Sequence, residues 1–247
     1  MPLKLPSNLQ FLPQPFEWIY VPSGSVELSH PPPDFIRKVV RVNDFFIAKY
    51  PITNAQYKIY VDETGRKPEI SHRWDNEKID YPLHPVCELR WQEAMLFSRW
   101  VSSKTDEVVT LPSLAQWQRA GQGDDNRKYP WGDNWDETKS NAGGYLQHTT
   151  PVTQYREGAS PYGVMDMAGN VFEWCITSNI TGTDEVGFEI TETRLMSGEL
   201  LMSDERVFQS SAFNTHIRSA ELHQIGACPI FFQYMTGIRL VRMPHIE

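Results

Sequence analysis

The sequence predicts a mixed α+β fold: one domain with short twisted strands, two main helices and abundant irregular loop. The chain has 247 residues, among them 18 Pro and 8 Trp, which is typical of irregular segments held in place by large aromatic side chains. Clusters of Gly, Asn and Asp recur, as at 121–126 and 142–144, and such clusters form turns. Two segments combine helical periodicity with good cap residues. We therefore expect residues 1–247 to form a single domain.

The first elements are predicted to be strands. Residues 16–28 alternate apolar and polar side chains about a Pro-Ser-Gly turn, a pattern that predicts a β-hairpin. Residues 37–50 are rich in Val, Ile and Phe and predict a second β segment.

Two principal helices are predicted next. The first spans about 53–64, with Thr53 as its N-cap and Gly65 as the residue that ends it. The second spans about 91–103, where apolar side chains recur on one face at helical spacing. A short third helix is expected to begin after Ser113.

The remainder is predicted to be mostly loop. We expect no helix between 121 and 161, and only weak strands between 176 and 215. Residues 231–242 predict a strand pair or a bulged strand around Gly237. Trp131 is expected to be buried in a tight turn, and Arg239 to be half-buried while it holds a carboxylate or backbone carbonyls.

Charge and cysteine content limit the partners and the compartment. A net charge of -8 without a Lys/Arg-rich run disfavours nucleic acid and an anionic membrane as partners. No apolar run approaches the roughly 18 residues that a membrane span needs. The N-terminal residues lack the apolar core of a signal peptide, and the three cysteines contain no CxxC pair. We expect a cytoplasmic protein.

Nine segments, in this order, resemble those of the formylglycine-generating enzyme family, also called the sulfatase-modifying-factor family. The segments are WIYVPSG at 18–24, YPITNAQYKIYVDETGRKP at 50–68, HPVCELRWQEAMLFSRWVS at 84–102, LPSLAQWQRAGQG at 111–123, YPWGDNWD at 129–136, SNAG at 140–143, TTPV at 149–152, GASPYGVMDMAGNVFEW at 158–174 and GIRLVR at 237–242. Only 176–236 is poorly matched. The resemblance implies a variant of the C-type lectin fold.

The segment around Gly169 suggests a calcium site. Asn170 and Glu173 offer a side-chain carbonyl and a carboxylate three residues apart, and all-oxygen sets suit Ca²⁺. The resemblance implies structural calcium here, held by Asn170, the Val171 carbonyl and Glu173, and a second calcium site that begins at Asn141. The segment after Asn141 is short and lacks the Asp that would complete that site. In the alternative interpretation, Asn170 and Glu173 only hydrogen-bond loop groups.

The enzymatic signature of the family is incomplete in this chain. Active members, as the resemblance implies, hold copper(I) with two cysteines about five residues apart, ahead of the final strand. Here Cys228 stands alone, with His223 five residues before it and Gln233 five residues after it. One rearranged alternative is a copper or non-heme iron site for an oxidase or oxygenase, formed by His216, His223 and Cys228.

The preferred interpretation is a non-catalytic binding module. The same scaffold is used in this way by the variable proteins of diversity-generating retroelements, and a pseudoenzyme that modulates an active relative is a further alternative. Residues 176–236 would recognise a protein or a small ligand. The candidate contact residues are Phe208, Phe213, Arg218, Phe231, Phe232 and Tyr234.

Overall fold

The computed structural model describes seven segments of the chain: residues 9–28, 33–34, 36–68, 81–105, 107–184, 205–231 and 235–243. The helices of these segments are α1 (Asn54–Thr64), α2 (Trp91–Ser103) and α3 (Leu114–Gln122). The strands are β1 (Trp18–Val21), β2 (Gly24–Leu28), β3 (Lys38–Val42), β4 (Phe45–Ala48), β5 (Val109–Thr110), β6 (Phe172–Ser178), β7 (Glu205–Gln209), β8 (Gly226–Pro229), β9 (Thr236–Gly237) and β10 (Val241–Arg242).

The helices begin and end where local chemistry predicts. At the start of α1, the Thr53 hydroxyl accepts from the Gln56 backbone N–H, and the Gln56 amide oxygen accepts from the Thr53 N–H. This capping box satisfies two backbone donors that the first turn would otherwise leave unpaired. Gly65 ends the helix in the left-handed conformation, with φ 70°. The predicted bounds of α1 and α2 are confirmed.

Strand pairing differs from the predictions. The segment 16–28 is not a hairpin, because β1 pairs with β4 and β2 pairs with β3 in a separate two-stranded sheet. The segment 231–242 is likewise divided. Its first strand, β9, runs parallel to β6, whereas β10 lies between β4 and β5. In both cases the two strands of the segment pair with strands outside it and not with each other.

The described segments contain two four-stranded sheets. Their strand orders are β1-β4-β10-β5 and β8-β7-β6-β9. All seven residues of β6 are buried. Trp174 faces the larger hydrophobic cluster with α1 and α2, and the next residue, Cys175, faces the cluster around α3. Strand β6 is therefore the central element between the two cores.

The predicted loop regions contain a few short regular elements. Two 3₁₀ turns, 137–139 and 156–158, lie in the range where no helix was expected. The weak strands expected at 176–215 correspond to the end of β6 and to β7, and the part of that range between 185 and 204 lies outside the described residues. No helix of the described segments is long and apolar enough to cross a membrane.

Candidate functional site

A buried ion pair lies where β6 meets the C-terminal segment. Arg239 donates from Nη2 to Glu173 Oε1 at 2.6 Å and from Nε to Glu173 Oε2 at 2.7 Å. Trp117 Nε1 donates to the same Oε2 at 2.6 Å. Both charged side chains are 0% exposed, so each depends on the other for its stability in the interior.

The remaining donors of Arg239 hold the surrounding backbone. They reach the carbonyls of Ala48, Lys49 and Met165. The expectation that Arg239 holds a carboxylate and carbonyls is therefore confirmed. The expectation that Arg239 is half-buried is wrong. The carboxylate and the carbonyls together accept the hydrogen bonds of its guanidinium group, so the side chain is completely buried.

The Asn170 loop joins two positions that the sequence placed in separate calcium sites. Asn170 has a left-handed φ of 69°, and its backbone N–H donates to the Asn141 carbonyl at 2.8 Å. Its Oδ1 accepts from the Thr150 N–H at 2.9 Å, and its Nδ2 donates to the Thr150 carbonyl at 3.0 Å. Asn141 Nδ2 also lies 3.4 Å from Asn170 Oδ1. Asn170 thus ties three loops together.

Asp166 is a further titratable group of this loop, and it is not among the residues predicted for the site. Its Oδ2 accepts from Asn170 Nδ2 at 3.0 Å. Burial raises the pKa of Asp166 to about 7, with the Glu173 charge adding to the rise and the Asn170 hydrogen bond and Arg239 opposing it. The available signal was a lone carboxylate inside the apolar run Val164–Ala168.

These contacts do not fit the calcium expectation. Glu173 is neutralised by Arg239, and its Oε2 accepts two hydrogen bonds. The Asn170 amide oxygen accepts a backbone hydrogen bond, and Val171 is buried. A calcium ion requires several oxygen atoms free to point at one centre. The alternative interpretation, in which Asn170 and Glu173 bind internal groups, agrees with the geometry, and a measurement of thermal stability with calcium decides between the two interpretations.

The three candidate redox ligands each have a local structural role. Cys228 is buried in β8, where burial and the Glu205 charge raise the pKa of its thiol to about 12. His216 Nδ1 accepts from the Arg218 N–H at 3.2 Å, and His223 Nε2 lies 2.9 Å from a Glu221 oxygen. Among the residues that the structure describes, no three His, Cys, Asp or Glu side chains form a group that could hold a metal. The structure therefore does not bring His216, His223 and Cys228, the alternative ligand set, together as a metal-binding group.

The candidate contact residues separate into core and surface. Phe213 is buried, and Phe208 packs edge-on against Phe172 with ring centroids 4.8 Å apart. Phe208 is half-buried against the larger hydrophobic cluster, so neither ring is the exposed contact residue that was expected. Phe231 is 43% exposed and Arg218 is exposed. The last two candidates, Phe232 and Tyr234, lie outside the described residues.

The turn around Trp131 is more open than expected. Trp131 and Trp135 are only half-buried, while Tyr129 beneath them is 5% exposed. A cavity of about 590 Å³ lies within the run 131–139. No pattern in the sequence predicts this opening, because a Trp in a tight turn is usually interpreted as a core residue.

Comparisons with known proteins identify the scaffold. Residues 8–244 match the model of the sulfatase-modifying factor enzyme 1-like domain. The chain belongs to this family. The α+β, C-type-lectin-like fold of a single domain is thereby confirmed, as is the family resemblance on which it was predicted.

Curated relatives of this sulfatase-modifying factor enzyme 1-like chain have different names. The serine/threonine-protein kinase pkn1 of Chlamydia caviae is 33% identical over 54% of this chain and 23% of its own length. The formylglycine-generating enzyme of Thermomonospora curvata is 23% identical over 64% and 70%. The hercynine oxygenase of Mycobacterium tuberculosis is 27% identical over 55% and 38%. The chain therefore spans about a quarter of the kinase that it matches.

Solved structures show the same fold at low sequence identity. PvdO from Pseudomonas aeruginosa superposes with a TM-score of 0.71 at 17% identity, covering 92% of this chain and 94% of that one. Treponema denticola variable protein 1 superposes with a TM-score of 0.68 at 15% identity, covering 93% and 95%.

Proposed function

We propose that this chain is a non-catalytic binding module on the sulfatase-modifying-factor scaffold. The observation that carries the proposal is the state of Cys228. It is the one cysteine between residues 176 and 236, it is buried in β8, and burial raises its pKa to about 12. Copper(I) and disulfide chemistry both need thiolates, and a thiol with this pKa stays protonated at neutral pH.

Partner binding would use the described surface of the divergent segment. Phe231 supplies an exposed ring at the end of β8 and Arg218 an exposed charge on the 3₁₀ turn that follows His216. Aromatic and Arg side chains are the residue types that contribute most at interfaces. The fold shared with Treponema denticola variable protein 1 supports this use of the scaffold, and the partner is a protein or a small ligand.

The activity test uses a peptide with the sequence Cys-x-Pro-x-Arg, incubated with protein, copper, oxygen and reductant. Mass spectrometry should find no aldehyde product. If the wild type forms the aldehyde and Cys228→Ser does not, the proposal is refuted, because a site with a single cysteine would then be catalytic.

The binding test compares two surface variants of the same protein. Partners that cross-link to the wild type should be lost in Phe231→Ser and kept in Val39→Ser. Val39→Ser is the matched control, because it removes an apolar side chain of β3 that is 68% exposed. Equal recovery by both variants would contradict the assignment of the surface.

A second candidate function is an oxygenase with a rearranged metal site. The similarity to two hercynine oxygenases, each 27% identical over 55% of this chain, favours it. It would need copper or iron ligands other than the His216, His223 and Cys228 set. Stoichiometric iron or copper in protein purified without chelator, together with oxygen uptake, would select this candidate over the binding module.

A further inference from the structure

The loop 131–139 lines an open cavity whose walls combine aromatic and acidic groups. The cavity has a volume of about 590 Å³ and is open to solvent. Trp131 and Trp135 line it, with ring centroids 5.7 Å apart and planes inclined at 57°. Asp133, Asp136 and Glu137 line it as well. Indole faces and carboxylates both attract cations.

The two indoles are held in place by the structure beneath them. Tyr129 stacks on Trp131 at 5.5 Å with an interplanar angle of 9°, and meets Trp135 at 5.3 Å. Trp131 Nε1 donates to the Asn134 carbonyl at 2.9 Å. The backbones of Tyr129 and Gly132 pair in both directions. Because the rings are already ordered, a ligand loses little free energy to side-chain ordering.

The cavity is negatively charged. Its lining holds three carboxylates and one ammonium, that of Lys139, so the sum is -2. Hydrogen bonds from Thr138 lower the pKa of Asp136, which keeps that carboxylate ionised at neutral pH. Asp133 and Glu137 are exposed. In the described segments no three acidic, His or Cys side chains form a metal-binding group, so this combination of indoles and carboxylates favours an organic cation over a metal.

The cavity also lies beside the segment assigned to partner binding. Leu222 N–H donates to the Lys128 carbonyl at 2.7 Å, and Ala220 packs in the same small cluster as Tyr129, with Trp131 and Trp135 against it. The aromatic loop and the turn that carries Arg218 are therefore neighbours on one face.

We propose that this cavity binds the guanidinium group of an arginine side chain presented by a protein partner. The inference rests on the proposed binding function and deepens it. A guanidinium is planar and weakly hydrated, so it can stack on an indole while its N–H groups donate to carboxylates. The net charge of -8 on the whole chain favours approach of a basic partner.

The test compares two blocked tripeptides, Gly-Arg-Gly and Gly-citrulline-Gly, which differ in charge and hardly in shape. Binding is followed by NMR through the indole N–H signals of Trp131 and Trp135, assigned with Trp→Phe variants. The Arg peptide should bind at least about tenfold more tightly than the citrulline peptide, and it should weaken as salt is added.

Charge variants locate the site. Glu137→Gln removes an exposed carboxylate of the cavity and should weaken binding of the Arg peptide about threefold to tenfold. Asp62→Asn removes one charge from α1, where Asp62 pairs with Lys58 on the surface, and should leave the affinity unchanged.

Two results would overturn the proposal. The first is equal affinity for the Arg and citrulline peptides, including no binding of either. The second is Arg-selective binding that Glu137→Gln does not weaken and that does not shift the indole N–H signals of Trp131 and Trp135. The same sample is assayed for peptide-thiol oxidation. Turnover would refute the proposed function, whereas a failed Arg preference without turnover would refute the cavity assignment alone.

Discussion

Replacing Asp166 with Asn should change how the stability of the chain depends on pH. Asp166 is buried beside Asn170, close to the ion pair of Glu173 and Arg239. Counted together, the three ionised side chains hold two negative charges and one positive charge. A proton on Asp166 makes the cluster neutral. The main cause of the raised pKa, about 7 against 3.8, is burial of the carboxyl; the Glu173 charge adds to the rise, and Asn170 and Arg239 oppose it.

The sign and size of the effect follow from proton linkage. Between about pH 4 and pH 7 the native state keeps a proton on Asp166 that the unfolded state releases, so the free energy of unfolding falls as the pH rises. Each pKa unit corresponds to about 1.4 kcal/mol, so the contribution of Asp166 should decrease by up to about 4 kcal/mol between pH 4 and pH 8. The stability from this proton is fully present below the unfolded pKa and lost above the folded pKa.

Urea unfolding of both proteins at a series of pH values measures this difference. The free energy of unfolding of the wild type minus that of Asp166→Asn removes the contribution of the carboxylates that the two proteins share. This difference should decline as the pH rises from 4 to 7. Asp62→Asn, on the exposed face of α1, serves as the control whose curve stays parallel to the wild type. A constant difference between wild type and Asp166→Asn would refute the linkage and the raised pKa together.

Three further predictions concern the same core. Glu173→Gln should destabilise the chain by about 3–5 kcal/mol, because it leaves Arg239 charged without its counter-ion in the interior; urea unfolding measures this, and a loss below about 1 kcal/mol would contradict the pairing. Calcium or EDTA should leave the thermal midpoint unchanged, because Arg239 already neutralises Glu173. A calcium site would instead add about 2–3 kcal/mol to the free energy of unfolding at saturation. A calcium-dependent rise of the midpoint in calorimetry that Glu173→Gln abolishes would show that the calcium site exists. Cys228→Ser should cost about 1 kcal/mol, and the wild-type thiol should react with a disulfide reagent at pH 8 only after unfolding; rapid labelling of native protein would contradict its burial.

The sequence predicted those parts of the fold that depend on neighbouring residues. Thr53 and Gly65 carry their own signals, since a hydroxyl cap and a left-handed glycine act within one helical turn. Pairing of strands is decided elsewhere. Residues 16–28 alternate as a hairpin would, yet β1 gains a better partner in β4, with which it builds the larger core.

The sequence predicted the chemical groups of the candidate site but not which residues contact one another. A carboxylate for Arg239 was expected, but its identity was not, because Glu173 lies 66 residues away in sequence. Asn141 and Asn170 were placed in separate sites although they touch across 29 residues. Phe208 and Phe213 are residue types common at binding surfaces, but in the folded chain Phe213 is buried and Phe208 is half-buried against the larger hydrophobic cluster. Residue type alone does not encode which face of an irregular segment is covered.

The position of β10 between β4 and β5 has a consequence for synthesis on the ribosome. Strand β4, Phe45–Ala48, is buried along its whole length, but one of its two neighbours includes Val241, which is translated 194 residues after its partner Ile47. At about 5–20 residues per second, β4 waits roughly ten to forty seconds before its sheet can close. During that interval an apolar edge is open to other nascent chains. The sheet therefore cannot be completed until Val241 has left the ribosome, and recovery of folded protein should improve when the emerging chain is shielded by a chaperone.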